Sequence, residues 1–305
     1  MKIAENILYR LAKGWKSPVA KQKTELGENP DSDEFHLNYA MKKQFLRCSS
    51  TGFPYDFYQK KVLEIGCGHG GISTFLIVNG AKEVTGIDLN TFHLDIARKF
   101  KAKVEQDMNI KPENGFNLEF LEMNAYDMKF EPNSFDLIIA DNVFEHFMDT
   151  AKVLEQSFNI LKPGGQLVIP TFNSIYSKYG IHLKHGLKMP WANVFFSEKT
   201  ICNVMIRLGK EDPYVASSYP SLKNNPQKIK DIRKYGDLNS MTHKRFCDEV
   251  AAAGFKMKRF KINPSSKSLV KEALRLLYRY KWVQRSMFSN IFSVSAEAVL
   301  VKPVK

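Results

Sequence analysis

The sequence predicts an α/β fold, a parallel sheet wound by helices on both faces. Three observations predict it: apolar runs of strand length recur between Lys60 and Thr171, helix-length segments alternate with them, and the first run ends in a glycine-rich turn. Strands are expected near 61–65, 83–88, 117–122, 135–141 and 166–171, with helices near 71–79, 91–107 and 148–162. Crossovers of this kind are right-handed, which places a ligand at the carboxyl ends of the strands.

Ahead of the sheet, residues 1–58 hold no good strand and read as a helical N-terminal cap. Met1 to Trp15 is a short amphipathic helix whose apolar residues Ile3, Ile7, Leu8 and Leu11 are broken by charges, unlike a signal sequence. Phe35 to Arg47 carries a second stripe, Phe35, Leu37, Ala40, Met41 and Phe45, and the polar stretch between the two helices is a loop. The α/β core is expected over 59–171. Phe172 to Ser240 contains Pro190, Pro213, Pro220 and Pro226 without clear alternation; it is too long for a connector and is read as a lid or substrate insertion, 172–240. The remainder, 241–305, returns to the core. Thr242 to Ala253 forms a helix capped by Thr242 or Ser240 and ended by Gly254, and Phe255–Ile262 and Phe292–Lys302 are the last two strands.

Glu64, at the end of the first strand, is followed by Gly66-Cys67-Gly68-His69-Gly70, where glycines let the backbone turn and approach a ligand. With Gly71 the loop also satisfies the spacing of a dinucleotide site. Asp88 ends the second strand 22 residues after Gly66, where a carboxylate can take two ribose hydroxyls, and this too fits both kinds of cofactor.

Three later segments separate the two: Asn124-Ala125-Tyr126-Asp127, the stretch from Asn133 to Ala140, and Leu161-Lys162-Pro163-Gly164-Gly165 running into Ile169. Here the chain resembles the class I S-adenosylmethionine-dependent methyltransferases, in particular the group acting on quinones, sterols, sugars and other small molecules. The likeness spans roughly Lys60 to Thr171. It implies a Rossmann-like methyltransferase sheet with a C-terminal antiparallel hairpin, interrupted here by the excursion 263–291, and S-adenosylmethionine as cofactor. It also implies that Glu64, Gly66, Cys67, Gly68 and Gly70 lie along the methionine part and ribose, that Asp88 holds the ribose, and that Leu89 packs on the adenine. Asn124 and Ala125 would meet the adenine amino group, with Asn124 a departure from the family's usual Asp; an amide carbonyl still accepts, with less electrostatic gain. Asp141 and Asn142 would pass the methionine end.

Catalytic candidates follow the fourth strand and open the insertion. His146, beside Glu145, is placed to act as a general base, or else packs beside the cofactor. His182 and His185, three apart at the pocket mouth, suit a base with its partner or a metal pair, although surface histidines of this kind are common, and no metal is assigned. Alignment of acceptor and methyl in a dry pocket accounts for most of such catalysis, so a base is needed only for a high-pKa hydroxyl. The acceptor is expected to be a small molecule, sugar or lipid-like compound methylated at oxygen. Two other readings are a nucleic-acid methyltransferase and a non-catalytic S-adenosylmethionine-binding relative. The first lacks the Asn-Pro-Pro-aromatic element and the Pro-Cys pair of such enzymes, since the fourth strand ends Ala140-Asp141-Asn142-Val143-Phe144.

Charge is concentrated. Of the net +13, residues 255–290 carry +9, ten Lys or Arg against Glu272 alone. On one helical wheel over Ser268–Met287, Leu269, Val270, Ala273, Leu276, Leu277, Tyr280, Val283 and Met287 share one half and the cations the other, which predicts one basic amphipathic helix within 265–290. That helix either packs as a lid, meets an anionic membrane surface, or receives an anionic acceptor. Four cysteines without metal-ligand spacing and no 18-residue apolar run point to a cytoplasmic protein, peripheral to a membrane at most.

Overall fold

The computed structural model describes residues 2–14, 32–111, 115–183, 186–187, 189–212, 215, 238–265 and 269–304. Seven strands form one sheet: β1 (Lys61–Ile65), β2 (Glu83–Asp88), β3 (Leu118–Glu122), β4 (Phe135–Ile139), β5 (Leu161–Phe172), β6 (Lys256–Pro264) and β7 (Ser293–Val301). Their order is β3-β2-β1-β4-β5-β7-β6, with β1 to β5 parallel and β7 antiparallel to both neighbours. This is the doubly wound sheet with a terminal hairpin that the alternation and the resemblance implied. Chain order reverses between β1 and β4, which opens a crevice at their carboxyl ends.

Helices cover both faces. They are α1 (Lys2–Gly14), α2 (Asp33–Tyr39), a π-helical stretch Ala40–Phe45 leading into α3 (Leu46–Thr51), α4 (Gly71–Val78), α5 (Thr91–Asp107), α6 (Thr150–Ile160), α7 (Ala192–Phe195), α8 (Glu198–Glu211), α9 (His243–Ala252), α10 (Leu269–Leu277), α11 (Lys281–Gln284) and α12 (Met287–Ile291). Strand β1 is apolar on both sides for that reason: Val62 joins the layer of Phe75, Leu76 and Leu94, whereas Leu63 and Ile65 join the opposite layer of Leu154 and Phe246. Side-chain caps start the helices where the strands end. Asn90 accepts from the His93 amide, Asp149 from Lys152 and Thr242 from Arg245.

Three features differ from the sequence reading. Strand β5 begins at Leu161 because the Pro163-Gly164 turn is drawn into the sheet, Gly164 donating to the Lys302 carbonyl and the Lys302 amide to Gly165. The two N-terminal helices part company: Phe45 of the π-helical stretch packs edge-on to Phe75 and Phe100, while α1 lies on α8 in a separate apolar cluster, Leu8 and Ala12 against Ile201, Met205 and Leu208. The expected single helix within 265–290 is three short ones. The first ends at Leu277 and the second begins at Lys281; Leu274, Tyr278 and Val283 are buried, and Val270, Ala273, Leu276, Leu277, Tyr280 and Met287 face outward. Leu269 carries no described side chain. Much of the 172–240 insertion, including all of 216–237, lies outside the described residues.

Gly71 fixes the cap to the sheet. Its amide donates to Gln44 Oε1 at 3.0 Å, and an added Cβ would stand 2.5 Å from both the Ala40 carbonyl oxygen and Gln44 Cβ. Gly71→Ala is therefore expected to cost about 1–3 kcal/mol and to expose residues 32–51 to limited proteolysis. An unchanged urea midpoint with unchanged cleavage would contradict this attachment.

Candidate functional site

The crevice is lined from six chain segments. Gly66, at φ 68°, gives its amide to the Ile87 carbonyl at 2.8 Å, and a Cβ there would stand 2.6 Å from Val143 Cγ2. Only glycine lets the end of β1 pass beneath Val143 at the switch point. Gly68, at φ 51°, meets the opposite condition: nothing lies within 4 Å of its would-be Cβ, which points into open space. Asp88 joins the two loops, for its Oδ2 accepts from Gly68 and its Oδ1 from Asn90, both at 2.9 Å. Each carboxylate oxygen keeps a further lone-pair direction toward the crevice.

Two adjoining pockets share Gly66, Asp88 and Val143 as common wall. One is an apolar slot whose sides include Ile87, Leu89, Met123, Ala125, Tyr126 and Phe147, with His146 at its edge. The other is polar, with Glu64, Asp141, Asn142, His69, His93 and Thr171 joined by Tyr39, Lys43, Gln44 and Arg47 from the cap. Glu64 is fully buried and accepts from Ser73 Oγ; burial, reinforced by the charges of Asp141 and Asp88, pushes its carboxyl up to about 8 against the opposing Ser73 bond. Asp141 is paired to Arg47 at 2.6 Å through Oδ2, while its buried Oδ1 has no hydrogen-bond partner.

These groups fit S-adenosylmethionine. A flat apolar slot suits adenine, the Asp88 carboxylate between the pockets suits ribose, and a polar half with Glu64, Asp141 and Arg47 suits an amino acid end beside a sulfonium cation. The orphaned Asp141 oxygen needs such a donor.

Not every expected residue lines the crevice. Cys67 turns its thiol into the core beneath Gly86, so that only its backbone is available, and Gly70 is packed behind the loop against Ala97 and Phe120. Asn124 does face the slot, but its carbonyl oxygen already accepts from the Tyr126 amide at 2.9 Å. His185 lies outside the described residues.

A second cluster flanks the slot. Phe144–His146 is a 3-10 turn held by buried Asn239, whose amide group donates to the Phe144 and Phe147 carbonyls at 2.9 and 2.7 Å. Glu145 is buried, which raises its carboxyl; its Oε1 accepts from Asn173 at 2.9 Å and its Oε2 has no hydrogen-bond partner. His182 brings Nε2 to 3.7 Å from Glu145 Oε1, and its ring lies 5.3 Å from that of His146. Ligand atoms of Glu145, His146 and His182 all lie within 4.8 Å of one another, close enough to share a proton network or a divalent ion.

Several lining residues were beyond the sequence reading. Lys43 and Arg47 sit one helical turn apart, and their spacing alone named no partner. His69 stacks between His36, at 2.8 Å from nitrogen to nitrogen, and His93, with ring centres 4.5 Å apart; burial and then its two neighbours push it down to about 3.

Residues 57–188 match the family model described as a methyltransferase domain. The ubiquinone biosynthesis O-methyltransferase of Pseudomonas savastanoi pv. phaseolicola is 33% identical over 115 residues, 37% of this chain and 45% of that protein. Its Pseudomonas aeruginosa counterpart is 35% identical over the same shares. The chain thus spans less than half the length of the curated relatives it matches. A solved SAM-dependent methyltransferase from Methanosarcina mazei is 16% identical, with a TM-score of 0.46 and coverage of 82% of this chain and 95% of that one.

A cofactor held beside Glu64 would bind with an affinity that depends on pH. Its raised value keeps it protonated between pH 4.5 and about 8, and the cations of the cofactor favour its carboxylate. Binding in that window should release a proton and tighten as pH rises. Calorimetry in two buffers of different protonation enthalpy should give different apparent enthalpies for the protein, and equal ones for Glu64→Gln; equal enthalpies for both would refute the linkage.

Proposed function

We propose that this protein, whose residues 57–188 match the methyltransferase-domain model, is a class I S-adenosylmethionine-dependent methyltransferase that transfers a methyl group to a hydroxyl oxygen of a small, apolar or lipid-like acceptor. The observation that carries the oxygen assignment is the Glu145, His146 and His182 constellation beside the slot. A carboxylate, amine or thioether acceptor needs no such base; a hydroxyl of high pKa does. The names of the matched relatives support the same chemistry over the segment they share.

S-adenosylmethionine, when bound, supplies an activated methyl. The chain's residues do the rest. Asp88, fixed by the Gly68 and Asn90 amides, takes the ribose hydroxyls, and Leu89 and Ala125 flank the adenine. Arg47 and Asp141 take the amino acid end, which brings the cap into cofactor binding. His146 accepts the proton of the acceptor hydroxyl, and buried Glu145 stabilises the imidazolium that results, its Oε2 being the one carboxylate oxygen left without a bond in the cluster. His182 closes the far side and positions Glu145 together with Asn173.

The test is methyl transfer from labelled S-adenosylmethionine to phenolic, catecholic and sugar hydroxyls, scored by mass. His146→Ala should lower kcat by about 10²-fold or more with cofactor affinity nearly unchanged. Glu145→Gln should move the acid limb of the kcat profile toward lower pH, because the imidazolium loses its counter-charge. Wild-type kcat in His146→Ala, or transfer only to nitrogen, would overturn the proposal.

A further inference from the structure

The C-terminal excursion between β6 and β7 is anchored on one side and uncovered on the other. Its inner side is held by Leu274, Tyr278 and Val283, each at most 5% exposed, and by a buried polar knot in which Asn290 Oδ1 accepts from Ser174 Oγ at 2.6 Å and from the His243 amide at 2.9 Å. Tyr278 donates its hydroxyl to the Phe292 carbonyl at 3.0 Å. The outer side presents Trp282 at 73% exposure, Tyr280 at 59%, Val270 at 56%, Leu276 at 55%, Met287 at 50% and Leu277 at 42%. All of these but Trp282 belong to the apolar half of the predicted wheel, whose Val283 is buried instead. Six large apolar side chains exposed to this degree on one short segment are unusual on a protein that meets only water.

Its surroundings name the occupant. Lys271, Arg275, Arg279, Lys281 and Arg285 are interleaved with those side chains; Arg275 pairs with Glu272, the only acid from 269 to 292, and Arg285 with Asp248, which leaves the segment strongly positive. A second copy would bring like charge onto like charge. An anionic bilayer accepts both components, the apolar groups below the headgroups and the cations at them, and Trp and Tyr favour that boundary. We propose that residues 270–288 form a peripheral docking surface for anionic lipid.

The C-terminal end of the excursion is bonded to the loop that carries His182. Trp191 Nε1 donates to the Ile291 carbonyl at 2.6 Å, and the Lys178 amide to the Ser293 carbonyl at 3.1 Å. Docking would bring the acceptor side of the crevice to the lipid surface; this last point rests on the proposed function, whereas the docking does not, and vesicle binding is measured without turnover.

The full chain should float with vesicles of phosphatidylcholine and phosphatidylglycerol, much less with phosphatidylcholine alone, and less as salt rises. Lys271→Glu with Arg279→Glu should weaken binding at least about tenfold, and Leu276→Ser with Trp282→Ser should weaken it without changing its salt slope. Arg279, Leu276 and Trp282 are exposed and Lys271 is half-buried, and a thermal melt checks that the variants fold. Failure of the folded wild type to bind anionic vesicles would overturn the proposal. So would equal binding by the charge-reversed variant, or a concentration-dependent dimer lost in Trp282→Ser, which would give the face to a second copy.

Discussion

One carboxylate organises the crevice. Asp88 accepts from Gly68 on one side and from Asn90 on the other, and so ties the loop after β1 to the turn after β2. Both loops then have a fixed spacing across the switch point, and the apolar slot and the polar pocket open on either side of the same group. Asn90 also caps α5. The acid at the strand end, the glycine turn and the helix start are thus one cooperative unit in which no part keeps its geometry alone.

Charge balance is the price of that design. Glu64, Asp88 and Asp141 converge on one pocket, and Arg47 reaches in from the cap to meet Asp141. The protein lowers the repulsion by keeping Glu64 protonated and bonded to Ser73. Removing the cap would leave Asp141 without its cation, a larger penalty than the loss of an exposed pair because the Asp141 side chain is only 6% exposed. This gives the π-helical stretch a reason beyond packing: it sets Gln44 over the Gly71 amide and leads into the turn that bears Arg47.

The sheet was legible because its determinants are local. Apolar runs buried on two faces, glycines at the turns and acids at the strand ends mark β1, β2 and β4 without knowledge of the fold. Arg47, Asn173 and Asn239 were not legible, since each acts on a partner at least 28 residues away and looks like an ordinary surface polar residue in its own window. His182 was singled out for its spacing to His185, yet its contact is with Glu145, an example of proximity created by the tertiary path. The segment 268–287 misled for a different reason. A wheel assumes one uninterrupted helix, whereas the segment is three short ones, and Leu274 and Tyr278, which anchor it, stand outside the apolar half that the wheel picked out.

The attachment of α1 to α8 has a temporal side. Leu8 and Ala12 complete their burial only against Ile201, Met205 and Leu208, so a chain growing from its N-terminus carries an unsatisfied apolar stripe for almost two hundred residues of synthesis. At about 5–20 residues per second, that is roughly ten to forty seconds. During that interval the sheet's first strands can already pair, and the stripe is open to chaperones or to neighbouring nascent chains.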